Sequence, residues 1–232
     1  QSLLKLAAWQ GVTVPDFTTL SRRRRNLNVQ VSSRKFSEPI IVVVDSSGAK
    51  VYGEGEWKVR IHGKSKHRTW RKFHLAIEPQ TNEILSLEVS TNNVTDDAML
   101  PDVLEKIDEA IVIEQVCGDG SYDRTNSYQA IKKRKAKAVI PPRKDAKITQ
   151  HGNSNAPPLD RDQNLRAIRK YGRKSWKQTS GYHHRSKAET GVFRYKTIIG
   201  NTLNSRLFHS QCVEMKLGAK ILNAMAALAM PV

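Results

Sequence analysis

The sequence predicts an α/β protein in which a mixed sheet of five strands is flanked by helices. Short runs of β-branched or alternating apolar residues occur between residues 40 and 140, as is typical of strands. Apolar residues spaced three and four apart follow the third of these runs and dominate the last third of the chain, as is typical of helices. The predicted order is three strands, helix, strand, helix, strand and then helices.

The first three strands are expected to form an antiparallel meander. The continuous β-branched run Ile40 to Val44 predicts a buried strand that stops in a turn at residues 45–48. A glycine-rich, charged hairpin region follows over residues 51–66. Residues 69–77 and 84–90 then alternate between apolar and polar, which predicts two further strands joined by a turn.

The remaining elements are mostly helical. Pro141 and Pro142 end the last predicted strand, and residues 143–160, rich in polar residues, proline and glycine, are expected to form an exposed connection. We predict strands over residues 111–117 and 138–140, and helices over residues 98–107, 124–134, 161–171, 182–198 and 208–229.

The N-terminal part of the chain is basic and is expected to be helical. The chain begins at Gln1 within an apolar helical pattern, so we expect that a segment preceding it is missing. Asp16 can cap a second helix that starts at Phe17 and ends near Asn26. This helix carries Arg22, Arg23, Arg24 and Arg25. It is either the remnant of a helix-turn-helix DNA reader or a solvated basic helix end.

Composition favours a polyanionic partner. Lys and Arg number 39 against 22 Asp and Glu, a formal net charge of +17, which suits nucleic acid better than other polyanions. The chain contains two cysteines and no run of 18 apolar residues, so we expect a soluble protein of a reducing compartment that does not enter a membrane. We divide it into a basic helical segment, residues 1–38, and a catalytic domain, residues 39–232.

Three carboxylates occupy positions that suit a metal site. Asp45 follows the first predicted strand, Asp119 follows the fourth, and Glu189 lies on a later helix. If the first and fourth strands are neighbours in a mixed sheet, both aspartates emerge at the same edge, within reach of a helix packed across it. Hard oxygen ligands of this kind suit Mg²⁺ or Mn²⁺ and a displacement at phosphorus assisted by two metal ions.

Three residues of other types surround one of these carboxylates, Glu189, in sequence. Tyr182, Arg185, Glu189 and Lys196 stand at offsets 0, 3, 7 and 14. At about 100° per residue they fall within about 60° of one helix face. Cationic and hydroxyl donors around a carboxylate make sense if the carboxylate holds a metal and its neighbours hold phosphate. The pattern therefore favours phosphoryl transfer.

These blocks resemble the DDE transposases of bacterial insertion sequences. The spacing Y-(2)-R-(3)-E-(6)-K of that family is met without a gap by the four residues just named. The sequence around Asp45, residues 43–48, resembles the Asp-Ser-Thr-Gly turn of the family, with Ser47 in place of threonine. Residues 118–123, Gly-Asp-Gly-Ser-Tyr-Asp, resemble the block of its second aspartate. The resemblance covers roughly residues 15–229.

The resemblance implies a fold, an activity and partners. The fold is RNase H-like, similar to retroviral integrases, and the partner is DNA at transposon ends and at the target. The chain would act in the bacterial cytoplasm, on the nucleoid, as a homodimer or larger synaptic complex, with two Mg²⁺ or Mn²⁺ ions. Asp45, Asp119 and Glu189 would be the catalytic metal ligands, and Tyr182, Arg185 and Lys196 would contact DNA.

Other functions fit parts of the same sequence. An RNase H-like nuclease would cut without joining, and a catalytically silent relative of a transposase would bind DNA without cutting. Taken singly, Asp45 can be a turn residue, and Glu189 can simply pair with Arg185 on a solvated helix. Asp123 competes with Asp119 as the second ligand or caps the following helix.

Further residues carry weaker signals. Three tryptophans, Trp57, Trp70 and Trp176, are candidate platforms for stacked bases but are more typical of core or rim packing. At most one of His183 and His184 should face the site, because neighbouring helical residues point about 100° apart. The basic run at residues 132–137 is a plausible DNA track or a solvated helix end.

Overall fold

One mixed sheet of six strands organises the part of the chain that the structure describes. This computed structural model describes residues 15–31, 34–51, 70–150 and 157–228. The strands are β1 (Ile40–Val51), β2 (Trp70–Glu78), β3 (Glu83–Thr91), β4 (Ile113–Cys117), β5 (Lys137–Val139) and β6 (Thr202–Leu203). The mixed α/β class with flanking helices is confirmed, and so is its RNase H-like character.

The strand order is β3-β2-β1-β4-β5, with β6 pairing with β1 off this path. β1, β2 and β3 pair antiparallel, which confirms the predicted meander. β4 is parallel to both β1 and β5. The first and fourth strands are therefore neighbours, the condition on which the predicted carboxylate site depends.

β1 is longer than the sequence suggested. The turn expected at residues 45–48 is wrong, because these residues continue the strand and pair with β2, from Asp45 opposite Leu75 to Gly48 opposite Lys72. The four residues are good turn formers, but the ladder with β2 holds them extended. Asp45 thus lies inside a strand and not at its end, which also removes its interpretation as a simple turn residue.

The expected number of five strands is also wrong. The sixth strand, β6, is only two residues long and pairs in parallel with Lys50 and Val51 at the far end of β1. A pair of residues offers no alternation from which a strand can be predicted. It forms because the chain after residue 200 runs past the unexpected extension of β1.

Seven α-helices accompany the sheet in the described ranges. They are α1 (Phe17–Arg25), α2 (Asp96–Glu105), α3 (Thr125–Lys133), α4 (Asp160–Tyr171), α5 (Arg173–Thr179), α6 (Ser186–Arg194) and α7 (Phe208–Ala227). The sequence did not predict α5, which follows α4 after a single glycine, Gly172, with φ of 85°. In these ranges no helix is both long and apolar enough to cross a membrane.

The helix predicted over residues 182–198 has three parts. Tyr182–Arg185 is a 3₁₀-helix, α6 follows it, and Tyr195–Ile199 is a π-helical turn. The sequence period alone does not distinguish these forms, since all three keep the chain helical. The composite helix ends at Gly200, whose φ of 119° is unfavourable for other residues.

Each face of the sheet has its own apolar core. One core contains Val43, Leu75, Cys117 and Met215, and is covered by α6 and α7. The other is covered by α2 and α3 and includes Val44 among its buried residues. Because side chains alternate along a strand, Asp45 shares the face of Val43, on which α6 lies.

The N-terminal helix forms as predicted. Asp16 accepts a hydrogen bond from the Phe17 amide at 2.8 Å, and α1 ends at Arg25. α1 packs against α7, where Arg24 pairs with Glu214 at 3.9 Å. The apolar pattern before residue 15 and most of the expected hairpin region, residues 52–66, lie outside the described residues.

Helix α6 lies unusually close to the sheet at Gly191. A methyl group added there would lie 2.1 Å from Ile77 Cδ1, and Ile77 is fully buried. Ile77 would therefore have to shift within a closely packed core to make room for a methyl group. The absence of a side chain at Gly191 therefore sets the distance between β2 and the helix that carries Glu189.

We expect Gly191→Ala to lower the free energy of unfolding by about 1–3 kcal/mol, the usual effect of overpacking a core. Ile77→Val removes the methyl group that clashes, at a cost of about 0.5–1.5 kcal/mol when made alone. Urea denaturation of both single variants and the double variant should show that the double variant loses less stability than the two losses added together. Strict additivity would contradict the proposed contact.

Candidate active site

The parallel pairing of β1 with β4 brings two aspartates side by side. In this ladder Val43 is opposite Cys117, and each aspartate follows its member of the pair by two residues. Asp45 and Asp119 therefore leave the sheet on the face that α6 covers, at the point where β4 ends. The charge of Asp119 accordingly acts on the carboxyl of Asp45.

Local hydrogen bonds orient both carboxylates. Asp45 Oδ1 accepts from the Ser46 amide at 2.9 Å. Asp119 Oδ1 accepts from the Ser121 amide at 2.8 Å and from the Ser121 hydroxyl, so Asp119 caps the short 3₁₀-helix Gly120–Tyr122. Each side chain thus has one oxygen fixed by the chain just after it.

The environment of Asp45 favours its protonated form. Burial raises the pKa of this carboxyl, and the negative charges of Asp119 and Glu189 raise it further. The Ser46 amide and the Arg185 guanidinium lower the pKa without cancelling the rise. The three predicted carboxylates therefore interact electrostatically, and Arg185 is a positive charge within their reach.

We expect Asp45→Asn to make the metal-free protein more stable at pH 7. Because the folded protein binds the proton of Asp45 more tightly than the unfolded chain, stability falls as pH rises from the ordinary carboxyl range through the raised pKa. Asparagine removes this loss and can still accept from the Ser46 amide. Urea denaturation in EDTA at pH 7 should show a higher free energy of unfolding for Asp45→Asn than for the unaltered protein. This difference should vanish when the pH is below the ordinary pKa of aspartate.

A matched control for that measurement is Glu114→Gln, which removes an exposed carboxylate from β4. Glu114→Gln changes the net charge by the same amount but should leave the midpoint of urea denaturation nearly unaltered. If Asp45→Asn lowered stability at pH 7 while the control did not, the Asp45 carboxylate would be a stabilising group, contrary to its surroundings here.

Glu189 is paired with Arg185 in this structure. Arg185 Nη1 donates to Glu189 Oε1 at 2.6 Å across one helical turn. Glu189 is 60% exposed, and Arg185 is 25% exposed. Among the residues that the structure describes, no three His, Cys, Asp or Glu side chains are gathered closely enough to hold a metal ion. The charge of Glu189 acts on Asp45, but the Glu189 carboxylate is paired with Arg185.

Tyr182 and Arg185 lie above one another. Residues three apart eclipse in a 3₁₀-helix, so the form of this segment aligns them more closely than the predicted α-helix would. Burial raises the pKa of the Tyr182 hydroxyl; the positive charge of Arg185 lowers it and the negative charge of Asp119 raises it. The ring also lies 5.6 Å from that of Trp176. Tyr182 and Arg185 therefore border the aspartates.

Lys196 lies further along, in the π-helical turn, and is partly exposed. Its neighbour Tyr195 anchors this turn, with its hydroxyl donating to the Met215 carbonyl at 3.0 Å and its ring 5.1 Å from Phe73. Burial raises the pKa of Tyr195, so the hydroxyl stays protonated and keeps this bond. The structure thus fixes the backbone that carries Lys196.

The four N-terminal arginines are in a different setting. They form the last turn of α1, and Arg24 is partly buried in its pair with Glu214. Arg22, Arg23 and Arg25 are exposed. The structure therefore gives Arg24 a packing role and leaves the other three at the surface of α1.

Asp123 has a structural role that separates it from Asp119. Its side chain is fully buried, and Oδ1 accepts from Arg161 Nε at 2.9 Å and from the Tyr128 hydroxyl at 3.1 Å. Its Oδ2 accepts from the Arg143 amide at 2.9 Å. With both oxygens occupied in the interior, Asp123 ties the chain after β5 to α4 and does not cap α3.

Two residues near the aspartates were not predicted as part of the site. Asp96 interacts with Lys72 Nζ at 2.7 Å. Burial raises the pKa of Asp96, but its interactions with Lys72 and Ser46, together with the charge of His74, lower it overall. Burial, with the charges of Asp96, Asp45 and Asp119, raises the pKa of Tyr122. Asp96 was interpreted only as part of a helix start, because no local spacing reveals partners that lie 24 and 50 residues earlier in the sequence, Lys72 and Ser46.

The weaker signals have mixed outcomes. Trp176 is buried in the core, as its commoner interpretation predicted, whereas Trp70 is 41% exposed and Trp57 lies outside the described residues. The rings of His183 and His184 are 4.2 Å apart.

The basic run at residues 132–137 includes a residue with a structural role. Arg134 donates to the carbonyls of Ile107 and Ile111.

Comparison with known protein families gives two matches. A family model described as a transposase DDE domain matches residues 36–223, which is most of the chain and contains all six strands. A second model with the same description matches residues 1–54. The larger match includes Asp45, Asp119 and Glu189.

Proposed function

We propose that this chain, which belongs to the DDE transposase family, cuts DNA at the ends of an insertion sequence and joins the freed ends to target DNA. The observation that carries the proposal is the position of Asp45 beside Asp119 at the end of β4, with Glu189 on the helix packed over them. This arrangement needs three separate parts of the chain and has no evident role in packing.

The donor set fits a hard divalent cation. Three carboxylates offer only oxygen ligands, which Mg²⁺ and Mn²⁺ prefer. The pKa of Asp45 is raised partly by its acidic neighbours, and a cation would relieve that repulsion. Asp45 and Asp119 would hold it, and Glu189 would complete the set when its carboxylate leaves Arg185. Bound there as one ion or two, such a cation would supply Lewis acidity for displacement at phosphorus.

The other residues of the site would handle the DNA strand. Arg185, released from Glu189, has a planar fork of donors that matches a phosphate. Tyr182 keeps its proton because its pKa is raised, so it can donate to a phosphate oxygen. Lys196 adds a positive charge from the anchored π-helical turn. Together they would hold the scissile strand in line with the carboxylates.

The remaining parts of the proposal concern organisation. We assign residues 39–232 to a catalytic domain and residues 1–38 to a basic segment that contributes to DNA binding through Arg22, Arg23 and Arg25. Two or more copies would act on the paired ends of the element, because joining two ends at one target requires two active sites held together.

We expect Glu189→Gln to abolish cleavage and to leave DNA binding within about twofold, because it removes a ligand charge without removing a phosphate contact. Supercoiled plasmid carrying the element's ends, incubated with Mn²⁺, Mg²⁺ or EDTA, reports cleavage, and fluorescence anisotropy reports binding. Asp45→Asn should behave in the same way, and Glu114→Gln is the control for charge.

The reaction products distinguish the proposed transposase activity from the two alternative functions. Cut ends joined to new DNA, dependent on metal and lost in both variants, support a transposase. Nicks without joined products indicate a nuclease, and tight binding without any cut indicates a DNA-binding protein that has lost catalysis. Cleavage that survives in Glu189→Gln would show that Glu189 has been misassigned.

A further inference from the structure

A long acid-free part of the chain leads up to the candidate site. No Asp or Glu occurs between Asp162 and Glu189. The cationic residues of this stretch are Arg166, Arg169, Lys170, Arg173, Lys174, Lys177, Arg185 and Lys187. In a chain that contains 22 acidic residues, such a stretch creates a local positive potential without internal ion pairs to offset it.

Helix α5 orders part of this charge. Trp176 is buried and joins the core beneath the helix, which fixes the rotation of α5 about its axis. Arg173 and Lys177 are four residues apart and therefore share one face. Lys177 is exposed, and its ammonium lies 5.3 Å from the centroid of the Tyr182 ring.

This face continues directly into the candidate site. The charge of Arg173, like that of Arg185, lowers the pKa of Tyr182 against the larger effect of burial, which raises it. Arg173 Nη2 also donates to the Pro142 carbonyl at 2.9 Å, so part of its guanidinium is fixed while further N–H groups remain. Tyr182 thus links the two regions, because the charge of Asp119 acts on its hydroxyl and Lys177 contacts its ring.

We propose that Arg173 and Lys177 bind the DNA backbone next to the phosphates held by Tyr182 and Arg185, so that the duplex leaves the site along α5. The partner is duplex DNA because the proposed substrate of the carboxylates is DNA, and this inference rests on that proposed function. Arg166, Arg169 and Lys170 are also exposed, on α4, the helix that contacts α5.

The first test is the salt dependence of binding to a duplex that carries one element end. Each lost phosphate contact should reduce the slope of log K against log salt by about 0.9, so Lys177→Gln should reduce it by about 1 and Arg173→Gln/Lys177→Gln by about 2. Lys132→Gln, on α3 at the opposite face of the sheet, removes the same charge and should change the slope by less than half as much.

Arg173→Gln also removes a bond to Pro142, so thermal melting must show that the double variant folds. Lys177→Gln touches no such bond and decides the question alone if the double variant is unstable. An unchanged slope in Lys177→Gln, or an equal reduction in Lys132→Gln, would overturn the proposed path in favour of diffuse attraction or of the basic run on α3.

The second test places the DNA directly. We expect both native cysteines to react slowly, because burial raises the pKa of Cys117 to about 11 and also raises that of Cys212. A Lys177→Cys variant should therefore react selectively with duplexes that carry a disulfide tether on the backbone, and most strongly at phosphates close to the cleavage point. Lys132→Cys should react weakly and without preference for position.

The two proposals fail in different ways. If Lys177→Gln lowers the slope but no metal-dependent cleavage is found, α5 binds DNA and the proposed catalysis is wrong. If cleavage occurs and depends on Glu189, but Lys177→Cys gives no positional cross-link, the catalytic proposal stands and the path along α5 is wrong.

Discussion

The parallel ladder between β1 and β4 is the constraint on which the candidate site depends. It sets Val43 opposite Cys117, and every feature of the carboxylate pair follows from that register. A shift of one residue would turn Asp119 to the opposite face of the sheet, away from α6. The core on both faces of the sheet enforces the register, since the same shift would exchange the residues of the two cores. Packing and site geometry are thus fixed together.

Much of this arrangement could be predicted from sequence, and the errors have physical causes. The start of the first strand was placed correctly, because the β-branched run from Ile40 is a local signal, and so was the end of the fourth strand just before Asp119. The extension of β1 beyond Asp45 was missed, since its residues form turns in isolation and are held extended only by β2. The partner of Asp96 was missed for the same reason. The local sequence pattern predicts where a strand exists. Its pairing with other strands of the sheet decides where it ends.

The helix over the site gives a second example. The offsets of Tyr182, Arg185 and Glu189 predicted a shared face, and the structure keeps these residues together although the helix begins as a 3₁₀-helix. Gly191 brings this helix close to Ile77, an approach that no periodicity reveals. The same residue that looks like a weak point in a helix therefore sets the position of Glu189 above the aspartates.

The three carboxylates differ in how firmly they are held, and the difference bears on the proposed function. Asp45 and Asp119 are fixed by amides of their own chain segments, whereas Glu189 is largely exposed and held by Arg185. The Glu189 end of this pair is 60% exposed, so solvent screens the interaction. Under the proposed function, a divalent cation and a phosphate would separate the two side chains. Under the proposed function, this exchange of partners would free Glu189 to bind the metal ion and Arg185 to bind a phosphate in one step.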